Sequence, residues 1–216
     1  MLNNKPIRDC PFTRFTVPIL FFAPMKIREL QPSEISEAAD LLSRGMNDNP
    51  INVAAFGSDA GRRQAALARF FRAAMQGTFK RGKLVGAFGD DAMLGICGMT
   101  PPGKCQAEMG EKLRMLPVLL GGNAPRVLTR VLSWVGEWAR LDPAEPHWHL
   151  GPVAVDANLR GKGIGGELVA DFCARVDVAG SIAYLETDKK QNVAFYEKFG
   201  FVVTTKSSVL GVRIGS

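Results

Sequence analysis

Residues 153–176 read VAVDANLRGKGIGGELVADFCARV, and the order of their parts decides the fold. A short apolar run after Pro152 passes into a glycine-rich turn and then into a segment of helical period. Ile164, Leu168, Phe172 and Val176 recur every fourth residue, with Val169 and Cys173 beside them. A buried strand, a tight turn and an amphipathic helix in that order make an anion site. The first N–H groups of such a helix have no intrahelical partner and sit at the positive end of its dipole, where a phosphate fits. Gly161, Gly163 and Gly165 remove the side chains that would hold a ligand off the backbone, and Arg160 and Lys162 add positive charge at the rim. Gly161, Gly163 and Gly166 satisfy GxGxxG, but a lone match of that kind is a weak signal, and no GxxxxGK[ST] loop is present. A plain tight turn would need neither three glycines nor two flanking cations.

The run from Arg160 to Gly165 resembles the R/Q-x-x-G-x-G/A signature of the GCN5-related N-acetyltransferase (GNAT) superfamily. Downstream, NVAFYEKFGF at residues 192–201 is similar to that superfamily's second signature, and the two stand in family order. The close resemblance covers roughly residues 146–203. It implies an α/β fold whose mixed, mostly antiparallel central sheet is splayed at the central strand, with helices on both faces. It also implies acetyl-CoA as cosubstrate, its pyrophosphate held by Arg160, Gly161, Lys162, Gly163, Ile164 and Gly165. Backbone groups of Val153, Ala154 and Val155 would meet the thioester carbonyl and the pantetheine arm, and Asn192 would bond the pantetheine or the strand ends. Tyr196 matches the position of the general acid near the coenzyme sulfur. A phenol with an ordinary pKa of about 10 is protonated at neutral pH, as an acid must be.

Acetyl transfer to an amine also needs a proton acceptor. Glu186 is the favoured base and His149, whose imidazole titrates near neutrality, the alternative. Either residue could instead be structural, Glu186 as a cap and His149 as a hydrogen-bonding group within the strand end. Direct attack on the thioester needs no covalent nucleophile, so Cys173 reads as core. The implied reaction is N-acetylation of a small amine or an exposed protein amine. A non-catalytic acyl-CoA-binding sensor of the same fold is the rival reading. A dinucleotide-dependent oxidoreductase is disfavoured, because its glycines belong near the first strand and not late in the chain.

Composition agrees with this assignment. The chain has 216 residues, 46% of them hydrophobic and 22% charged, enough for one domain with a real core. The net charge of +6 suits an anionic cosubstrate, and there is no Lys/Arg run of the kind a nucleic-acid arm shows. Cys10, Cys97, Cys105 and Cys173 form no CxxC, and His147 and His149 are remote from them in sequence, so neither zinc nor a disulfide framework is indicated. Reduced cysteines and a cytoplasmic protein are the simplest expectation, with no membrane partner. The oligomeric state is open, a homodimer included.

Taken in order, residues 1–24 read as an extension outside a domain spanning 25–216. The apolar run at 17–23 is interrupted by Pro18 and is far too short to span a bilayer. Residues 26–30 alternate as a first strand, and Ser33 is placed to cap a helix that Gly45 ends. Residues 47–56 fall on the acceptor side by the resemblance. Asp59 can cap a second helix ending at Gly77, with Arg62, Arg63, Arg69 and Arg72 on its solvated face. Residues 84–88 and 92–99 form a hairpin around Gly89-Asp90-Asp91. Residues 108–120 are helical in pattern and broken at Pro117 and at Gly121-Gly122. Residues 126–140 form a helix with Leu128, Val131, Val135 and Trp138 on one face. Trp134 and Trp138 are weighted toward core over pocket. The central strand runs over 146–155, with His147, His149, Gly151, Val153 and Val155 on one side by period two. A strand over 181–187, a short helix over 192–199 and a hairpin of 201–205 with 209–214 complete the chain.

Overall fold

The computed structural model describes residues 25–106, 110–111, 115 and 124–216. The extension at 1–24, Pro117 and the Gly121-Gly122 break lie outside the described residues. Five strands form one sheet in the order β1 (Lys26–Glu29), β2 (Lys83–Gly89), β3 (Ala92–Thr100), β4 (His147–Val155) and β5 (Ile182–Tyr184). The first three pairings are antiparallel and the last is parallel. A separate hairpin, β6 (Lys206–Val209) with β7 (Val212–Gly215), joins the sheet through a bridge from Gly215 to Thr187. This is the mixed, mostly antiparallel sheet the sequence implied. The β2–β3 connection turns on Asp90 and Asp91, both with positive φ, the conformation a two-residue hairpin loop demands.

Helices cover both faces. On one lie α1 (Ile35–Gly45), α2 (Pro50–Phe56), α3 (Ala60–Arg81) and α4 (Ala124–Leu141); on the other lies α5 (Ile164–Val178). The strands alternate between them, as the pleat requires. Leu84 and Ile96 pack with Leu42, Leu67 and Phe71, whereas their neighbours Val85 and Cys97 pack with Leu168 and Phe172. Trp134 is 3% exposed and meets Trp138 and Phe70 with ring centroids 4.8 and 5.8 Å away, so these aromatics are core. Val135, placed by period on that apolar face, is 40% exposed; the helix buries its Val131–Trp134 side instead. Among the described residues no helix is long and apolar enough to cross a membrane.

Several local expectations are corrected. Pro32 opens a 3-10 turn ahead of α1, so the cap falls on Gln31, whose N–H donates to the Glu34 carboxylate at 2.7 Å, and not on Ser33. Asp59 does cap α3, accepting from the Arg62 N–H at 2.8 Å, but the helix runs through Gly77 to Arg81. Gly77 is buried there, and a Cβ on it would lie 3.0 and 3.1 Å from the Glu111 and Arg81 side chains, which would have to give way slightly. Arg63 is not solvated. It is 6% exposed and donates to the Asn47 and Gly57 carbonyls at 2.7 and 2.6 Å, pinning the segment between α1 and α3. The period of β4 fails as well. Cys97 pairs with Val153 and Met99 with Leu150, so three steps on β4 oppose two on β3. The extra residue flips the alternation. Leu150 belongs to the α5-side cluster and Ala154 to the other, although they are an even number of residues apart. Gly98 sits opposite this bulge, and a Cβ on it would lie 2.4 Å from the Gly151 carbonyl oxygen, so only glycine fits. Finally, β5 is only Ile182–Tyr184, and the last hairpin uses residues 206–209 with 212–215 instead of 201–205 with 209–214.

Candidate active site

The site begins where β4 and β5 part. Their parallel pairing runs His147 with Ile182, Trp148 with Ala183 and His149 with Tyr184, and stops there, while β4 continues to Val155. A strand that outruns its neighbour leaves backbone donors and acceptors for something else to satisfy. The opening is a cavity walled on one side by Val153, Ala154 and Val155. Gly45, Met46 and Asn49 bound it from the end of α1 and the turn after it. Arg160 and the start of α6 (Lys190–Tyr196), through Lys189, Gln191 and Asn192, complete it.

The glycine loop adjoins this cavity. Gly161 and Gly163 hold φ of 78° and 86°, and Gly163 is the N-cap of α5. An L side chain rarely takes that conformation, so here glycine is required by the backbone itself. Gly165 differs: a Cβ there would make ordinary contact with Val155 and Phe195 at 3.5 and 3.8 Å. Ile164 is 5% exposed and anchors the first turn of α5 in the core, while Lys162 is exposed. The first intrahelical bond to form is from the Glu167 N–H to the Gly163 carbonyl, so the donors of Ile164, Gly165 and Gly166 precede the ladder.

The two candidate bases are one pair. His149 Nε2 lies 2.8 Å from Glu186 Oε2, with the glutamate side chain 4% exposed and the histidine 22%. Burial by itself would lower the His149 pKa; the charge and hydrogen bond of Glu186, with Asp142 further off, outweigh it and raise the pKa above the ordinary value. Glu186 sits in the irregular stretch after β5, not on a strand. Asn192 lines the cavity. Tyr196 is further along α6, packed between Phe195 and Phe201 with ring centroids 5.1 and 5.9 Å away. Burial pushes its hydroxyl up to about 12, with a further push from Cys97, whose register partner on β4 is Val153. The phenol is therefore protonated at any physiological pH; it does not line the cavity but packs against the cluster beneath α5, as Val153 and Val155 do.

Other parts of the site had no signature. Lys189, in the cavity wall, donates to Asp48 at 2.9 Å, 141 residues away in sequence. Asp188 accepts from the Ile51 N–H at 2.8 Å and the Asn49 amide at 3.3 Å, fixing α2 to the loop before α6. Arg160 is drawn inward, donating to the Gly45 carbonyl at 2.5 Å.

Comparison with known proteins agrees with this geometry. Residues 130–203 match the acetyltransferase (GNAT) domain family. A Corynebacterium glutamicum protein described as a histone acetyltransferase and related acetyltransferase superposes with a TM-score of 0.65 at 18% identity, over 88% of this chain and 94% of that one. The ribosomal-protein-S18-alanine N-acetyltransferase of Escherichia coli gives 0.51 at 12% identity, over 89% and 90%. A Salmonella typhimurium protein solved with its cofactor acetyl-CoA gives 0.50 at 12% identity, over 88% and 90%. Residues 130–203 are thus similar in sequence to the acetyltransferase (GNAT) domain, and the chain shares its fold with these solved structures over the strands and helices that precede them.

Proposed function

We propose that the protein is an acetyl-CoA-dependent N-acetyltransferase that moves the acetyl group to a primary amine of a small molecule or protein. The observation that carries this reading is the parting of β4 from β5 immediately after His149, with the His149–Glu186 pair at the point of parting and the glycine loop after the far end of β4. Acetyl-CoA supplies an activated acyl thioester. The residues present fit it: β4 backbone at Val153, Ala154 and Val155, beyond the end of its pairing with β5, an Asn192 amide, two glycines at positive φ before α5, and the Arg160 and Lys162 cations.

His149 is the proton acceptor in this proposal. It is the more exposed member of the pair, and with Nε2–H donated to Glu186 its Nδ1 carries the basic lone pair. Glu186 holds the tautomer and stabilises the imidazolium that forms. The amine nitrogen bonds to the thioester carbonyl carbon, its surplus proton passes to His149, and the C–S bond breaks. Tyr196 gives the departing thiolate its proton. Backbone N–H groups of β4 polarise the carbonyl as charge develops on it.

The test is release of free thiol from acetyl-CoA by purified protein across a panel of amines. Tyr196→Phe should retain CoA binding by calorimetry and lose on the order of a hundred- to ten-thousand-fold in rate. Equal rates for the variant and the parent remove Tyr196 from the chemistry. Tight acetyl-CoA binding with no amine acetylated would make the domain an acyl-CoA sensor instead.

A further inference from the structure

Two cations line the cavity, and a single internal anion engages both. Asp48, in the turn between α1 and α2, accepts from Lys189 Nζ at 2.9 Å and lies 3.6 Å from Arg160 Nη2. The partners are held unequally. The Lys189 side chain is 13% exposed and packed into the wall, whereas that of Asp48 is 61% exposed. Arg160 is tethered independently by the Gly45 carbonyl. Lys189 is the most buried of the three and Arg160, 45% exposed, has a second tether, so the carboxylate is the member most readily displaced. Burial would favour the neutral acid, but the hydrogen bond and charge of Lys189 and the charge of Arg160 outweigh it and hold Asp48 below its ordinary pKa, so it is ionised at neutral pH.

An exposed carboxylate bridging two anchored cations at the lip of an anion site makes the contacts a phosphate would make. We infer that Lys189 joins Arg160 as a cradle for the coenzyme's phosphates, and that Asp48 is a built-in competitor for that cradle, displaced when the coenzyme binds. This rests on the coenzyme reading of the cavity given above. One carboxylate brings a single negative charge to the cradle; a diphosphate brings more, so exchange favours the coenzyme while Asp48 lowers its net affinity. Because Asp48 belongs to the α1–α2 turn, the same exchange removes one link between that turn and the coenzyme loop and leaves the Arg160–Gly45 link in place.

The experiment is calorimetric titration of the full chain with CoA at low ionic strength. Asp48→Asn should bind CoA roughly two- to five-fold more tightly, the range that loss of an exposed ion pair supplies. Lys189→Gln should bind more weakly. In the Lys189→Gln background the gain from Asp48→Asn should shrink, because the contested cation is gone. Glu37→Gln, the same charge change at the far end of α1, should leave affinity where it is, which separates local competition from the protein's general field. Asp48→Ser repeats the test if Asp48→Asn fails to fold. A folded Asp48 variant that binds CoA no better than the parent overturns the inference, as does an undiminished gain in the Lys189→Gln background. Failure of the parent protein to bind CoA overturns instead the coenzyme reading on which it rests.

Discussion

Replacing Glu186 with glutamine removes one charge from the site and almost nothing of its shape, and its consequence can be worked out in sign from the pair's geometry. The Oε2 to Nε2 distance is 2.8 Å, and the carboxylate is nearly sealed from water. In the parent protein, burial opposes protonation of His149, and the charge and hydrogen bond of Glu186, aided by Asp142, overcome it to raise the pKa. In Glu186→Gln the burial remains and the main opposing charge is gone, so His149 should titrate lower. Two readouts follow. Above its pKa the imidazole is neutral and competent as a base, so the rising limb of the pH–rate profile should move toward acid in the variant. Dividing the variant's kcat/KM by the parent's at each pH cancels the titration of the amine itself. The stability readout has the opposite dependence. A histidine whose pKa is raised on folding contributes stability that is fully present below the unfolded value of about 6.5 and is lost as pH rises through the folded value. A hydrogen bond to a charged group is worth about 1.5–3 kcal/mol. For a chain of this length that corresponds to a melting temperature roughly 3–12 °C lower in the variant at pH 5.5, with the gap narrowing at alkaline pH. His149→Gln should cost on the order of a hundred- to ten-thousand-fold in rate. If Glu186→Gln leaves the rising limb in place while His149→Gln stays within a few-fold of the parent, His149 is not the proton acceptor. Loss of the limb in Glu186→Gln alone would hand that role to the glutamate.

Gly163→Val should fold with a penalty of about 1–2 kcal/mol, because the φ of 86° is strained for any L side chain although the added Cβ meets nothing within 4 Å. Its CoA affinity by calorimetry should nonetheless collapse, and undiminished affinity in the folded variant would remove the glycine loop from the coenzyme site. Gly98→Ala should be the more damaging change to stability, since its Cβ would press on the Gly151 backbone at 2.4 Å, where no flexible side chain can yield. A melting temperature within 2 °C of the parent would show that the bulge adjusts more readily than its geometry suggests, given about 2–4 °C per kcal/mol.

What could be read from sequence was what depends on neighbours in sequence. The glycine loop announces itself because Gly161 and Gly163 are needed for backbone reasons within a few residues of the helix they open, and the hairpin turn at Asp90 and Asp91 is local in the same sense. Arg63 runs against its charge but follows the helix period: it stands four residues before Leu67 and seven before Phe70, on the stripe that α3 buries. The β4 bulge left only a faint trace, Gly98 on one strand and Gly151-Pro152 on the other, because a register shift belongs to a pair of strands and not to either alone. The site's pairings were the least visible. His149 and Glu186 were each picked out by chemistry, but nothing in their 37-residue separation says they touch, and Asp48 and Lys189 carry no motif at all.

The sheet divides the interior into two clusters, one under α1, α3 and α4 and the other under α5, and consecutive residues of β2 and β3 serve opposite ones. Side chains in different clusters share no partners, so damage to one is transmitted to the other only through backbone. Substitutions such as Leu42→Ala and Phe172→Ala are then independent losses that add, whereas two within one cluster compete for the same cavity and do not. The division also separates obligations. The compartment beneath α5 supports the loop that begins at Arg160, and the compartment beneath α1 supports the turn that carries Asp48. Sequence drift on the α1 side can therefore reshape what approaches the opening while the packing that sets the α5 N-terminus stays as it is, which lets one half of the molecule diversify as the other is held constant.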